Sequence, residues 1–305
     1  MYRDLVGELD DLIAEAGRHH VIPPQEDLGL LERLHDPRVL ARAKELLQSK
    51  DKQLRHKSIL CIERIGYALR DQQTAELLLH HADATTNKYE AATALDGLAN
   101  LDPPQPLPAE PLLRLVHRRE WLVWHAAVQC LRLAPADRVE RALLDRMDAD
   151  RYGLVYVANA LGYMRSEESI LALESLLRHA SVEVRCVSLG SLGVRLGSGV
   201  VEYARQLAEG RQWQEKLEAE IWLARFGDVQ DVPFMADRLK GLTSGRRRYE
   251  CQPPEASFVV PFLLRHQGDP RAQAALDATR RRQERLLGNE RAWLEQHEPG
   301  VFDPN

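Results

Sequence analysis

The segment from Ser181 to Leu196 carries apolar and small residues that recur with the period of an α-helix. Val184, Ser188 and Leu192 are four residues apart and therefore share one helical face. A small residue on this face lets a second helix approach closely, and the leucine fills the space between the two helices. The pattern predicts one amphipathic helix over 181–196.

The same face recurs along most of the chain. With Leu192 as the marker, the equivalent aliphatic residues follow one another at intervals of about 30 to 36 residues, a spacing typical of helical repeat proteins. These markers are Ile62, Leu95, Leu131, Leu161 and Leu223. The residues four positions earlier, equivalent to Ser188, are Ser58, Ala91, Ala127, Val157 and Ala219. A second apolar helix precedes each marker helix, so the pattern predicts six helix–turn–helix units and a degenerate seventh that ends around 258–265.

The sequence therefore predicts an all-α protein, an α-solenoid of stacked antiparallel helix pairs. We expect an N-terminal capping helix in residues 1–27 and about six repeats in 28–240, with a helix start at Asp36-Pro37. In residues 241–305 we expect a loop, a degenerate last repeat and a C-terminal capping helix. That cap is predicted as one long polar helix over 271–296, with Gly288 as its weakest point.

The repeats resemble the HEAT repeat family, in the short form of about 30 residues that occurs in bilin-lyase-like HEAT proteins. The resemblance covers roughly residues 36–240. It is carried by Val184-Arg185, Ser188 and Ser191-Leu192-Gly193, by Leu54-Arg55, Ser58 and Cys61-Ile62, and by Ala91 and Ala94-Leu95. The resemblance implies the fold. It says little about activity, because proteins with this fold have many different functions.

Charge and cysteine content narrow the class of protein. The formal net charge is −5, with 41 basic and 46 acidic residues, which argues against a dedicated nucleic-acid-binding protein. The four cysteines form no closely spaced pair, which predicts free thiols in a reducing compartment. The first 18 residues contain five acidic residues, which a secretory signal would exclude, and no apolar run approaches the ~18 residues of a membrane span. We expect a cytoplasmic protein that does not enter a membrane.

Catalytic motifs are absent from the sequence. It contains no phosphate-binding GxxxxGK[ST], no GxGxxG, no GxSxG and no CxxC. The pairs His19-His20 and His80-His81 are poor metal ligands, because adjacent helical residues do not face the same side. HEAT-like di-iron hydroxylases carry repeated His-Glu dyads, whereas this chain has only His297-Glu298. The sequence predicts no metal and no cofactor, and it favours a non-enzymatic protein.

The candidate site comes from the positions expected to line the concave face of the solenoid. The central repeats place aromatic and amide side chains there, and the outer repeats place charged ones. The candidate residues are Tyr156, Tyr163, Asn159, Gln129, Trp124, Arg64, Glu218 and Arg225. An aromatic centre with a charged rim is typical of a protein-binding surface. Burial in the core is the competing interpretation for both tyrosines, and it is the favoured one for Trp124, which occupies the column that holds Arg55 and Arg185 in other repeats.

We therefore expect a scaffold that binds a partner protein on its concave face. The resemblance extends to small bacterial HEAT proteins, which include adaptors and immunity proteins that neutralise a toxin. Two alternatives stay open. One is a lyase-type enzyme or enzyme subunit of the bilin-lyase-like class. The other is a HEAT-like nucleic-acid-binding protein that would use Trp121, Trp124, Trp222 and basic residues. The loop Lys240–Glu255, with Arg246–Arg248, is a second candidate surface, for an acidic partner.

Overall fold

A computed structural model describes residues 2–17, 28–149, 151–245 and 250–299 of the chain. Within these ranges the secondary structure consists of α-helices and short 3-10 turns, and no β-strand occurs. The chain divides into two units, residues 1–169 and 170–305. The predicted all-α architecture of stacked helix pairs is confirmed. Two features noted in the sequence, the pair His19-His20 and the run Arg246–Arg248, lie outside the described residues.

The first unit is built from successive helix pairs. Its helices are α1 (Tyr2–Ala16), α2 (Leu28–Leu34), α3 (Pro37–Leu46), α4 (Lys52–Leu69), α5 (Gln72–Ala84), α6 (Lys88–Ala99), α7 (Ala109–Val116), α8 (Trp121–Cys130), α9 (Ala136–Leu144) and α10 (Arg151–Leu161). From α3 onward each odd-numbered helix packs on the even-numbered helix that follows it. The helices α4, α6, α8 and α10 also pack side by side, and α1 packs on α3 and α4. The second helices of the pairs therefore form one layer, on which the candidate site residues of this unit lie.

The second unit repeats this arrangement. The boundary between the units lies in α11 (Glu167–Leu176), and the helices after it are α12 (Val182–Leu196), α13 (Val201–Ala208), α14 (Trp213–Phe226), α15 (Val232–Leu242), α16 (Ala256–Arg265), α17 (Pro270–Arg280) and α18 (Gly288–His297). The helices α12, α14, α16 and α18 pack in succession, while α13 packs on α14 and α15 packs on α16 and α17.

The predicted helix over 271–296 is divided into two, and the second part begins at Gly288, the weak point that the sequence indicates. The helix α17 ends at Arg280, and α18 begins at Gly288. Between them Arg282 leaves helical geometry with φ −133°, and Leu286 is buried with 4% of its surface exposed. Burial of Leu286 stabilises the turn, and α17 and α18 then pack on α15 and α16. The segment contains no proline, so the sequence marks the restart of the helix at Gly288 but not the end of α17 at Arg280.

Polar caps account for many of the helix starts. The carboxylates of Asp36, Asp71 and Asp269 accept hydrogen bonds from backbone N–H groups in the first turns of α3, α5 and α17, and Asn87 does so for α6. These bonds satisfy donors that have no partner inside the helix. Pro37 stands in the first turn of α3, as the sequence predicts.

The marker column forms the core of both units. All six markers, Ile62, Leu95, Leu131, Leu161, Leu192 and Leu223, are at most 1% exposed, which confirms the repeat register. The residues four positions earlier are all fully buried. The one bulky residue beside a marker, Trp222, packs on Gly193, where a Cβ atom would lie only 2.3 Å from the indole ring. A glycine in α12 therefore makes room for a tryptophan in α14.

Ion pairs join successive repeats at the arginine column. Arg55 of α4 donates to Glu90 of α6 at 2.6 Å, and Arg185 of α12 donates to Glu215 of α14 at 2.7 Å. Both arginines also donate to a backbone carbonyl in the turn before their own helix. The hydrogen bond from Arg55 lowers the pKa of the Glu90 carboxyl, so this pair stays charged at neutral pH.

One helical stretch within the described ranges, Val182–Ala208, is long and apolar enough to cross a membrane by length and composition. It comprises α12, a 3-10 turn and α13. Val184, Leu192 and Ala204 are fully buried inside the second unit. A core helix of a helical protein has the same composition, so the stretch is explained by its packing.

Candidate functional site

The candidate site in the first unit is an aromatic surface on α6, α8 and α10. Its rings are those of Tyr89, Trp121, Trp124, His125, Tyr152, Tyr156 and Tyr163. Four of the side chains are strongly exposed: Tyr89 by 63%, Trp121 by 46%, Tyr152 by 58% and Tyr163 by 47%. Exposed aromatic residues in such a group are unusual for a solvated face and are typical of a recognition surface.

Ring contacts link α8 to α10. Trp121 and His125 are one helical turn apart, and their rings stack with centroids 4.7 Å apart. The edge of His125 contacts the ring of Tyr156 on α10. Tyr152 lies one turn before Tyr156 on the same face of α10. The exposed rings are therefore held in defined positions by their neighbours, and binding would cost little side-chain entropy.

Tyr163 follows α10 and is held at the other end of the surface. The guanidinium of Arg132 lies over its ring, 5.8 Å from the centroid. Arg132 is itself fixed, because it donates to the carbonyl oxygen of Ala99 at 2.6 Å. Tyr163 is thus an exposed aromatic side chain on a rigid support, which is the arrangement of an interface anchor.

Trp124 has a different environment. It is half-buried between α8 and α10, and the guanidinium of Arg146 covers its ring at 5.3 Å from the centroid. A Cβ atom at Gly153 of α10 would lie 2.6 Å from the indole. Trp124 therefore packs the third repeat against the fourth, and it supports the surface from beneath.

The structure brings five of the eight candidate residues together. Trp124 and Gln129 lie on α8, Tyr156 and Asn159 on α10, and Tyr163 just after α10. Asn159 is exposed and Gln129 is half-buried. The other three candidates are Arg64, half-buried on α4 and separated from α8 by α6, and Glu218 and Arg225, both on α14 of the second unit.

Glu218 is fixed by contacts with residues of the second unit, to which it belongs. Its carboxylate accepts a hydrogen bond from the Trp222 indole at 2.9 Å and lies 3.1 Å from the position that a Cβ at Gly190 would occupy. Burial raises the pKa of the Glu218 carboxyl, and the Trp222 hydrogen bond acts in the opposite direction. Arg225 is exposed, and its guanidinium lies over the Phe226 ring.

The repeat columns missed Tyr89, Trp121, His125 and Tyr152 as site residues. All four lie outside the columns that were assigned to the concave face. A search for aromatic residues one helical turn apart finds two of the pairs, Trp121 with His125 and Tyr152 with Tyr156. Tyr89 has no such partner on α6, and only its exposure in the structure brings it into the surface.

The described residues contain no group of three or more His, Cys, Asp or Glu side chains placed to hold a metal ion. All four cysteines are free thiols, and burial raises the pKa of Cys61 to about 12. Such a thiol is a weak nucleophile at neutral pH.

No family model matches the chain, and no curated protein matches it. Solved structures of low sequence identity align with the chain, among them the following two. The complex of CpcE and CpcF of phycocyanin lyase from Nostoc sp. PCC7120 aligns at 17% identity and a TM-score of 0.49, over 78% of this chain and 92% of that chain. A crystal structure of an engineered protein aligns at 16% identity and a TM-score of 0.38, over 97% of this chain and 92% of that chain. Neither likeness bears on what this chain does.

Proposed function

We propose that the chain is a non-enzymatic scaffold that binds a partner protein through the aromatic surface of its first unit. The observation that supports this function is the set of exposed rings, Tyr89, Trp121, Tyr152 and Tyr163, on the layer formed by α6, α8 and α10. Aromatic side chains with restrained rotamers contribute large contact areas at low entropic cost. Tyr156 and the amide of Asn159 on α10 contribute to the interface, and Tyr163 contributes at its end.

The finer assignment, a cytoplasmic bacterial adaptor or a toxin-neutralising immunity protein, rests on the resemblance of the repeats to small HEAT proteins. The free cysteines fit a reducing compartment. The charged candidates Arg64, Glu218 and Arg225 are expected to affect the association rate more than the affinity.

Site-specific photocrosslinking in the native host tests the proposal. A photoreactive amino acid replaces the exposed Asn159, which lies between Tyr156 and Tyr163 on the surface. The matched control carries the same amino acid at Arg141 of α9, whose side chain is 78% exposed. We expect one discrete protein adduct from the first site and none from the second.

The adduct must also depend on the rings. The double change Tyr152→Ala with Tyr163→Ala should reduce its yield by at least about 30-fold, which corresponds to the ~2 kcal/mol that a single anchor typically contributes. Both side chains are exposed, so the helical circular dichroism of the variant should equal that of the parent. An adduct of unchanged yield in a folded variant contradicts the proposal. A nuclease-sensitive adduct would favour nucleic-acid binding, and an adduct that carries a pigment would favour the lyase alternative.

A further inference from the structure

Four basic side chains of the aromatic surface are placed over rings. Eight arginines elsewhere in the first unit are in salt bridges with carboxylates; these are Arg33, Arg38, Arg42, Arg55, Arg114, Arg118, Arg138 and Arg141. Other basic residues of the unit, among them Lys57, Arg70 and Arg119, make no salt bridge with a described residue and lie over no ring. On the surface, Lys88, Arg132, Arg146 and Arg151 make no salt bridge with any described residue. Each of them lies over an aromatic ring instead, with distances to the ring centroid of 4.5 to 5.8 Å.

A ring beneath a cation orients it without neutralising its charge. Arg151 lies 4.5 Å above the ring centroid of Tyr152 and donates to its hydroxyl oxygen at 2.5 Å, and Lys88 lies 5.1 Å above that of Tyr89. Glu120, at the start of α8, forms its salt bridge with Arg118, which donates to it at 2.7 Å. This hydrogen bond is the main cause that lowers the pKa of Glu120 to about 2, and the charge of Lys88 acts in the same direction without a salt bridge.

We infer that the partner contacts this surface with an acidic polypeptide segment, in which Asp or Glu residues alternate with apolar ones. This inference rests on the proposed function. Carboxylates would pair with the exposed cations Lys88 and Arg151, and apolar side chains would pack on the exposed rings. A polypeptide fits better than a single-stranded nucleic acid, which needs a continuous basic groove along its phosphates. Arg132 and Arg146 already donate to the backbone carbonyls of Ala99 and Val116, and the formal net charge of the chain is −5.

The test extends the crosslinking from Asn159 in the native host. The cross-linked segment of the partner is sequenced by mass spectrometry, and at least about a third of its residues should be Asp or Glu. The double change Lys88→Gln with Arg151→Gln removes two cations whose side-chain contacts are with rings, and it should reduce the adduct yield by about tenfold. The matched control Arg138→Gln with Arg141→Gln removes two exposed arginines of α9 and should leave the yield unchanged.

Each result decides the question. An acidic segment whose capture depends on Lys88 and Arg151 supports the inference. A protein adduct that forms through a neutral or basic segment, or that is indifferent to the double change, overturns the inference and leaves the proposed function standing. An adduct that nuclease removes overturns it in favour of nucleic acid. If no adduct forms at Asn159, the proposed function fails and the inference fails with it.

Discussion

A buried carboxylate in the second unit should make the stability of the protein depend on pH. Glu220 of α14 is fully buried, and Arg238 of α15 donates to its Oε2 at 2.5 Å. Arg238 also donates to Glu255, and Glu290 of α18 lies close enough to interact electrostatically with Glu220. Several carboxylates thus surround one guanidinium. The pKa of the Glu220 carboxyl is raised to about 8, mainly because the group is buried, and the positive charge of Arg238 partly lowers this pKa again.

The sign of the effect follows from proton binding in the two states. The folded protein holds the Glu220 proton until about pH 8, whereas the unfolded chain releases it near the ordinary value of 4.5. The stabilisation is therefore complete below about pH 4.5 and declines as the pH rises towards 8. Over the pH range in which only the folded protein holds this proton, each pH unit changes the free energy of unfolding by about 1.4 kcal/mol. The titration of Glu220 therefore lowers the free energy of unfolding by about 3 kcal/mol between pH 5.5 and 8.

The change Glu220→Gln removes the titrating group and keeps an acceptor for Arg238. The variant should gain stability relative to the parent protein as the pH rises, by about 3 kcal/mol between pH 5.5 and 8. Urea denaturation followed by circular dichroism at four pH values measures this, and hydrogen exchange of the α14 peptides localises it. The exposed Glu284→Gln provides the matched control. If the difference in stability between Glu220→Gln and the parent protein does not change with pH, the reasoning is refuted. Arg238 would then keep Glu220 charged over the whole range from pH 5.5 to 8.

Three further predictions concern packing, ion pairing and thiol reactivity. Gly193→Ala should lower the free energy of unfolding by about 2 kcal/mol, because its Cβ would overlap the Trp222 ring. Arg185→Gln should lower it by about 3 kcal/mol at pH 7, since it leaves the buried Glu215 without its cation. Urea denaturation measures both. Cys61 should react with Ellman's reagent at pH 7.5 only after denaturation, because it is fully buried and its thiol pKa is raised to about 12.

The controls come from the same elements. Gly241→Ala in α15 places a Cβ in open space and should stabilise the protein by about 0.5–1 kcal/mol. Equal stabilities for this variant and Gly193→Ala would contradict the close packing of α12 on α14. The exposed Arg211→Gln should leave the free energy of unfolding unchanged. If it lowered that free energy as much as Arg185→Gln does, loss of the Arg185–Glu215 ion pair would not explain the effect. Rapid labelling of Cys61 in the folded protein would mean that α4 opens readily.

The sequence by itself determined the repeat architecture and its register. A period of 3.6 within each helix identifies the buried face, and the interval between Leu192 and its equivalents identifies the stack. Both are local properties of the chain, as are the capping residues before α3 and α5. For this reason the marker residues are buried as predicted. Gly288 likewise indicates where α18 begins, whereas no proline or change of period indicates that α17 ends at Arg280.

Only the tertiary structure decided which side chains are available at the surface. Trp124 and Tyr163 are both aromatic residues of the central repeats, yet one is covered by Arg146 and Gly153 and the other is exposed. The buried carboxylate cluster around Arg238 likewise joins residues of different helices. Exposure and pKa depend on side chains that are about 20 to 70 residues away in the chain. Periodicity along one helix cannot encode these contacts, because they arise from how neighbouring helices pack.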